Sequence, residues 1–197
     1  MARLHAESLG ATEKDIGPFH PDPTVLLAPS VIKPLHGQNP RTILGQEWWD
    51  IERRRAYRST GHLCLACGMG KTRLDAHEEY SIDFFLFRYT YIRAIPLCHW
   101  CHSYIHIGRL GALMERRRVS PVEYLDVKEH GDRLLREAGL NKQAHINKIC
   151  SGNIQSFFPE ETGTWGKWHL FLDGRPYYSR FKNVDEWSRF YRGIRPE

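Results

Sequence analysis

The sequence predicts a small α+β protein assembled around a four-cysteine metal knuckle. An extended N-terminal arm plus helix flanks that core on one side, and a β-hairpin plus helix on the other. Three observations predict it. Two C-x-x-C pairs, Cys64/Cys67 and Cys98/Cys101, stand about thirty residues apart. The stretch between them is rich in β-formers. Helix starts and stops lie on either side. Each cysteine pair offers two thiolates from one tight turn, and two such turns complete a tetrahedral four-thiolate zinc site.

Composition sets the frame. The chain has 197 residues with 41% hydrophobic and 26% charged content, ordinary for a globular protein. Net charge is +5 and the pI is about 9.0. Much of that charge sits in Arg53, Arg54, Arg55 and Arg58 and in Arg116, Arg117 and Arg118, which suits a polyanionic partner. The chain opens with no apolar signal core, and no run approaches the roughly 18 apolar residues of a membrane span. The expected setting is a reducing cytoplasm, with zinc rather than disulfides engaging four of the five cysteines. Cys150 is left over as a partly buried small hydrophobe.

Residues 1–45 form the arm. Pro18, Pro21, Pro23, Pro29, Pro34 and Pro40 interrupt any helix, while Thr24-Val25-Leu26-Leu27 and Val31-Ile32 are apolar enough to dock. Residues 46–119 form the metal domain. A helix over 46–59 carries Trp48, Trp49 and Ile51 on its apolar positions, shows Arg53, Arg54 and Arg58 to solvent, and stops at Gly61. Gly68-Met69-Gly70 closes the first knuckle. Thr72 to Ala76 reads as a short strand, and Glu79–Ile82 and Tyr89–Ile92 as an antiparallel pair turning at Asp83 to Phe87. Pro96 favours an extended approach to Cys98. A helix runs from His99 to about Ile107, and Gly108 and Gly111 weaken its continuation.

Residues 120–163 read as one helix and a connector. Ser120-Pro121-Val122-Glu123 is a capping box with proline in the first helical position, and Gly139 ends the helix. Turn signals follow at Ser151-Gly152-Asn153 and Phe158-Pro159. Residues 164–197 read as a hairpin-plus-helix module. Asp173-Gly174 is a two-residue turn signal, Pro176 marks an edge strand, and Asn183 caps the last helix.

The chemistry concentrates beside the knuckle. His102 and His106 are four residues apart, so on a helix they share one face and can grip one ion. His77, or a neighbour, can complete that site from the preceding hairpin. These residues together resemble the HNH (ββα-metal, or His-Me finger) nuclease superfamily, in its zinc-knuckle variety. The resemblance rests on Cys64, Cys67, Leu74, His77, Leu97, Cys98, Cys101, His102 and His106, and covers about residues 60–108. It implies a ββα-metal core, a structural zinc on Cys64, Cys67, Cys98 and Cys101, and metal-dependent hydrolysis of DNA phosphodiesters.

The chain departs from the family pattern at two places. Laid on Leu74, the metal-ligand position falls on His77 and the general-base position on Glu78. The orienting asparagine position falls on Arg93. Two assignments follow. In one, His77, His102 and His106 hold the ion, Glu78 is the base, and Arg93 binds phosphate or steers Glu78. In the other, His77 is the base and Asp75 the ligand, because alternation puts Asp75 and His77 on one strand face and Glu78 on the other. Three imidazoles favour Zn²⁺, Ni²⁺, Mn²⁺ or Co²⁺ over Mg²⁺, although Mg²⁺ belongs among the ions to test. The expected partner is DNA, held through Arg53, Arg54, Arg58 and Arg116–Arg118. The implied context is a bacterial or phage-infected cell. The alternative expectation is a catalytically degenerate zinc protein that binds nucleic acid, or a protein partner through the arm or the C-terminal module.

Overall fold

The computed structural model describes residues 19–150 and 157–193. The arm's first 18 residues and the turn expected at Ser151-Gly152-Asn153 lie outside them. The protein is a mixed α+β structure whose centre is a long antiparallel hairpin, β1 (Leu74–Asp83) and β2 (Arg88–Cys98). Its register runs from Leu74 opposite Cys98 to Asp83 opposite Arg88. The two short strands read over 72–76 and 79–82 are therefore one. A register shift at Glu79/Tyr80 absorbs an extra residue of β2. The Asp83 carboxylate closes the tip by accepting the N–H groups of Phe85 and Leu86, each at 2.9 Å.

The hairpin is covered on both faces. On one lie α1 (Pro40–Leu44) and α2 (Gln46–Ser59). Here Trp49 and Ala56 pack on Ala94 and Ala76, and Trp48 meets Tyr91 with ring centroids 5.8 Å apart. α2 ends where Gly61 takes φ +62°, as the sequence indicates. On the other face, Ile95 and Leu97 join a core with Val25, Leu26 and Leu27 of the arm. This core also takes in α3 (His99–Ile105), α4 (Ile107–Glu115) and α5 (Pro121–Glu137). The arm's apolar segments dock as expected: Val25, Leu26 and Leu27 here, in a 3-10 turn over Pro23–Leu27, and Ile32, just before a second turn over Lys33–Leu35, in a separate core with Tyr89 and Trp168.

α5 starts at Pro121 as read, with the serine half of the expected capping box formed, Ser120 Oγ accepting from Glu123 N at 3.0 Å. It passes so close to α3 that Gly131 lies directly on the Tyr104 ring. α4 forms despite Gly108 and Gly111, because Leu110 is buried and the neighbouring apolar residues pack on α5. The stretch 140–163 is more than a connector. Asn141 accepts from Ala144 N at 2.8 Å and starts α6 (Lys142–Ile149), and a single turn, α7, covers Pro159–Thr162.

At the C-terminus β3 (His169–Leu172) and β4 (Arg175–Tyr178) turn at Asp173 (φ +49°) and Gly174 (φ +72°), the tight hairpin expected there. They do not stand apart as a module. β3 pairs parallel with β2, Arg88–Thr90 lying opposite His169–Phe171. One four-stranded sheet results, ordered β1-β2-β3-β4, with Pro176 on the outer strand as predicted. Trp168, fully buried among Phe84, Phe87 and Tyr89, fills the junction. α8 (Val184–Gly193) follows, Asn183 Oδ1 accepting from Glu186 N at 3.0 Å. No helix among the described residues is long and apolar enough to cross a membrane.

Candidate metal centres

The four cysteines converge as the spacing requires. Gly68 takes φ +74°, letting Gly68 N bond Cys64 O at 2.8 Å and Cys64 N bond Met69 O at 2.9 Å. This turn presents Cys64 and Cys67. Cys98 ends β2 in extended backbone and Cys101 sits in the first turn of α3. The two knuckles are clamped by Leu65 N donating to Pro96 O at 2.8 Å.

All four sulfurs lie within 4.8 Å of one another. Cys67 and Cys98 are 3.8 Å apart. Tetrahedral zinc with Zn–S bonds of about 2.3 Å needs sulfurs about 3.8 Å apart, so this donor set fits a structural metal. Cys64 is pulled down to about 7, chiefly by a hydrogen bond from Cys101, while Cys101 is pushed up, chiefly by its bond to Cys64. Thiols this crowded cannot ionise together without a cation among them. Sequence reading missed a fifth participant. His130 of α5 brings Nε2 to 3.4 Å from Cys101 Sγ, where a ring N–H can support a thiolate.

The second cluster joins the hairpin to α3. His77 comes from β1, His102 from the last full turn of α3, and His106 from its C-terminal cap. One nitrogen from each falls within 4.8 Å of the others. Ring centroids are 5.4 Å apart for His77–His102 and 5.0 Å for each other pair. Burial lowers His77 to about 3 and His106 to about 4, with smaller contributions from the neighbouring rings; His102 is lowered by burial too. Neutral imidazole is the ligand form. His77 Nδ1 is buried without a hydrogen-bond partner among the described residues, an atom that a metal ion would satisfy. Asp75 Oδ2 lies 3.4 Å from His102 Nδ1, so it can fix the tautomer that leaves Nε2 free as a ligand.

Two sequence assignments, Glu78 as base and Arg93 as its steering partner, gain no support from this geometry. Glu78 follows His77 in a regular strand, so its side chain leaves on the opposite face. Its electrostatic neighbours are Arg41 of α1 and the Tyr80 and Tyr91 hydroxyls, all on the α1/α2 side, and burial raises its pKa. It is not placed to act at the histidines. Arg93 does not steer Glu78 either. Its Nε holds Glu79 Oε2 at 2.7 Å on the exposed part of the hairpin.

The arginine clusters lie elsewhere. Arg54 and Arg58 are exposed on α2, on the far side of the sheet from the histidines, and Arg53 is tied to Asp50 Oδ1 at 2.7 Å. Arg116, Arg117 and Arg118 are exposed in the turn after α4. The cations near the histidines are others, Arg109 of α4 and Lys142 of α6, both close enough to depress His106 further. Burial lowers Lys142 to about 8, which leaves it charged at neutral pH, and it stands 5.1 Å from the Tyr104 ring centroid. No family model matches the chain, and neither a curated protein nor a solved structure shows a significant match.

Proposed function

We propose that the protein is a metal-dependent HNH-like endonuclease with a ββα-metal core made by β1, β2 and α3. A zinc ion on Cys64, Cys67, Cys98 and Cys101 would fix the start of α3 against the hairpin. A second divalent ion would sit on His77, His102 and His106. The observation that carries this reading is the contrast between the clusters. Four thiolates make a closed, structural site, whereas three imidazoles leave a position open, as catalytic sites do. A bound ion would supply a Lewis acid for a phosphoryl oxygen and for the departing oxygen.

The chain's own residues do the rest. Asp75 orients His102. Arg109 and Lys142 make the neighbourhood attractive to a phosphate. Glu78 takes no part, and the set His77/His102/His106 is preferred to one with Asp75 as ligand because Asp75 is engaged with the outer nitrogen of His102.

The displacement of Glu78 also favours a second reading, a zinc-stabilised module that binds nucleic acid or a protein without cutting. Elemental analysis of one preparation, followed by nicking assays on plasmid DNA with Mn²⁺, Ni²⁺, Zn²⁺ and Mg²⁺, separates the two. The enzyme should bind a second ion and nick DNA, and His102→Ala/His106→Ala should lose both while keeping the first zinc. One zinc, no second ion and no cleavage with any metal would leave the binding module.

A further inference from the structure

A cavity of about 290 Å³ opens beside His77. One wall is β1 from His77 through Ile82; the others are the arm segment from Thr24 and the inner side of α6, with His145 and Ile149. Successive strand side chains leave on opposite faces, so six consecutive residues can line one hollow only along the strand's edge. Among the described residues β1 is an edge strand, with β2 as its single sheet neighbour. Its outer N–H and C=O groups therefore present a row of donors and acceptors to the cavity. The groove starts at His77, the member of the three-histidine cluster that lines it, and Glu78 and Glu79 belong to the same wall; Arg109 and Lys142 lie beyond its lining, near His106.

We propose that this groove seats one unpaired nucleotide of a polynucleotide strand, with its phosphate at the histidine end and its base between the β1 edge and Ile149. The inference rests on the phosphodiesterase reading for the phosphate and on the groove itself for the base. The shape argues for a single nucleotide. The volume is at the lower end of the roughly 300–1,000 Å³ of small-molecule sites, with apolar Val25, Ile95 and Ile149 beside a polar strand edge. A base whose hydrogen-bonding edge is to be read by backbone groups cannot be paired to another base at the same time. The substrate is then a single strand, a flap or a loop.

The test uses the full-length, zinc-loaded protein in two arms. In the first, anisotropy of a fluorescein-labelled oligothymidylate measures binding without turnover. Ile149→Trp fills the groove and should weaken binding by about tenfold, as losing one base contact does. Ala28→Phe fills the same groove from the opposite wall and replaces Ile149→Trp if that variant does not fold. In the second arm, cleavage of the oligonucleotide is compared with that of its perfect duplex and of bis(p-nitrophenyl) phosphate. The single strand should be cut fastest, and Ile149→Trp should lose that reaction while hydrolysing the small diester normally. Equal cutting of single strand and duplex, or unchanged binding by both groove-filling variants, overturns the proposal. If neither the small diester nor DNA is hydrolysed, the enzymatic reading fails, and the anisotropy arm still decides the groove. An extended peptide that binds with the same sensitivity to Ile149→Trp, with no oligonucleotide binding, would assign the groove to a peptide instead.

Discussion

Replacing Gly131 with alanine should destabilise the protein and loosen the three-histidine site together. A Cβ at Gly131 would lie 2.1 Å from Tyr104 Cδ2 and 2.2 Å from Cγ, more than an ångström short of van der Waals contact. Tyr104 cannot simply swing aside. Its hydroxyl donates to Asp132 Oδ1 at 2.7 Å, and the Lys142 ammonium covers its ring. Either α5 moves away from α3 or the Tyr104–Asp132 bond is lost. Overpacking of this kind costs about 1–3 kcal/mol, and a hydrogen bond to a carboxylate contributes about 1.5–3 kcal/mol. Alanine regains about 1 kcal/mol of helix propensity. The net expectation is a loss of about 2 kcal/mol. Urea unfolding of the zinc-loaded protein measures it, with the double variant Gly131→Ala/Tyr104→Ala as control. Without the ring, the added methyl has nothing to strike, and in the Tyr104→Ala background Gly131→Ala should become neutral or stabilising. Tyr104 lies between His102 and His106 in the same helix, so calorimetric titration of the second ion should show weaker binding in the single variant. A Gly131→Ala protein as stable as the parent would refute the reasoning.

Four other outcomes are expected. Cys67→Ser should release the structural zinc, detected with a chromophoric chelator, and lower the melting temperature sharply, because binding energy of this kind is folding energy. Asp75→Asn should weaken the second ion by about 10–100-fold and leave the four-cysteine zinc unchanged in elemental analysis. Glu78→Gln should leave metal-dependent nicking at the parent rate, and a large loss would return Glu78 to the site. His36 reports on the seating of α8. Its Nδ1 accepts from Trp187 Nε1 at 3.3 Å, its Nε2 faces Val31 O at 2.9 Å, and burial holds its pKa below the ordinary 6.5. The folded state prefers it neutral, so its stabilisation is complete above 6.5 and drains away as pH falls toward the depressed folded value. Urea midpoints at pH 7.5 and 5.5 should differ more in the parent than in His36→Gln, and an equal difference would remove His36 from the account.

Local chemistry was readable from the sequence, and long-range placement was not. The cysteine set and the His102/His106 pair depend on spacings of three and four residues, which a turn or a helix converts directly into proximity. His77 could be placed because the family register laid on Leu74 puts it at the metal-ligand position; strand alternation added that it shares a face with Asp75. The same alternation argued against Glu78, while the family register argued for it, and the regular pairing of β1 at these positions favours the alternation. α6 carries a weak apolar pattern, and Asn141 was the available signal for its start. His130, Arg109 and Lys142 reach the metal clusters from α5, α4 and α6 by tertiary packing, which leaves no mark in local sequence. The parallel pairing of β3 with β2 joins segments about eighty residues apart, and a two-residue turn motif cannot announce such a partner.

The four-cysteine cluster and the β1–β2 hairpin close the same loop. Cys67 and Cys98 are 31 positions apart, and the whole hairpin lies between them, with Leu74 already opposite Cys98 in the ladder. Closing a loop of that length costs about 3 kcal/mol in chain entropy. Whichever event comes first, pairing of the strands or capture of the ion, bears that cost, and the other then follows almost without it. The two should therefore form and dissolve as one kinetic unit. Zinc concentration should accelerate refolding as well as slow unfolding, because a chain already bridged by the ion begins with its most distant strand contact in place.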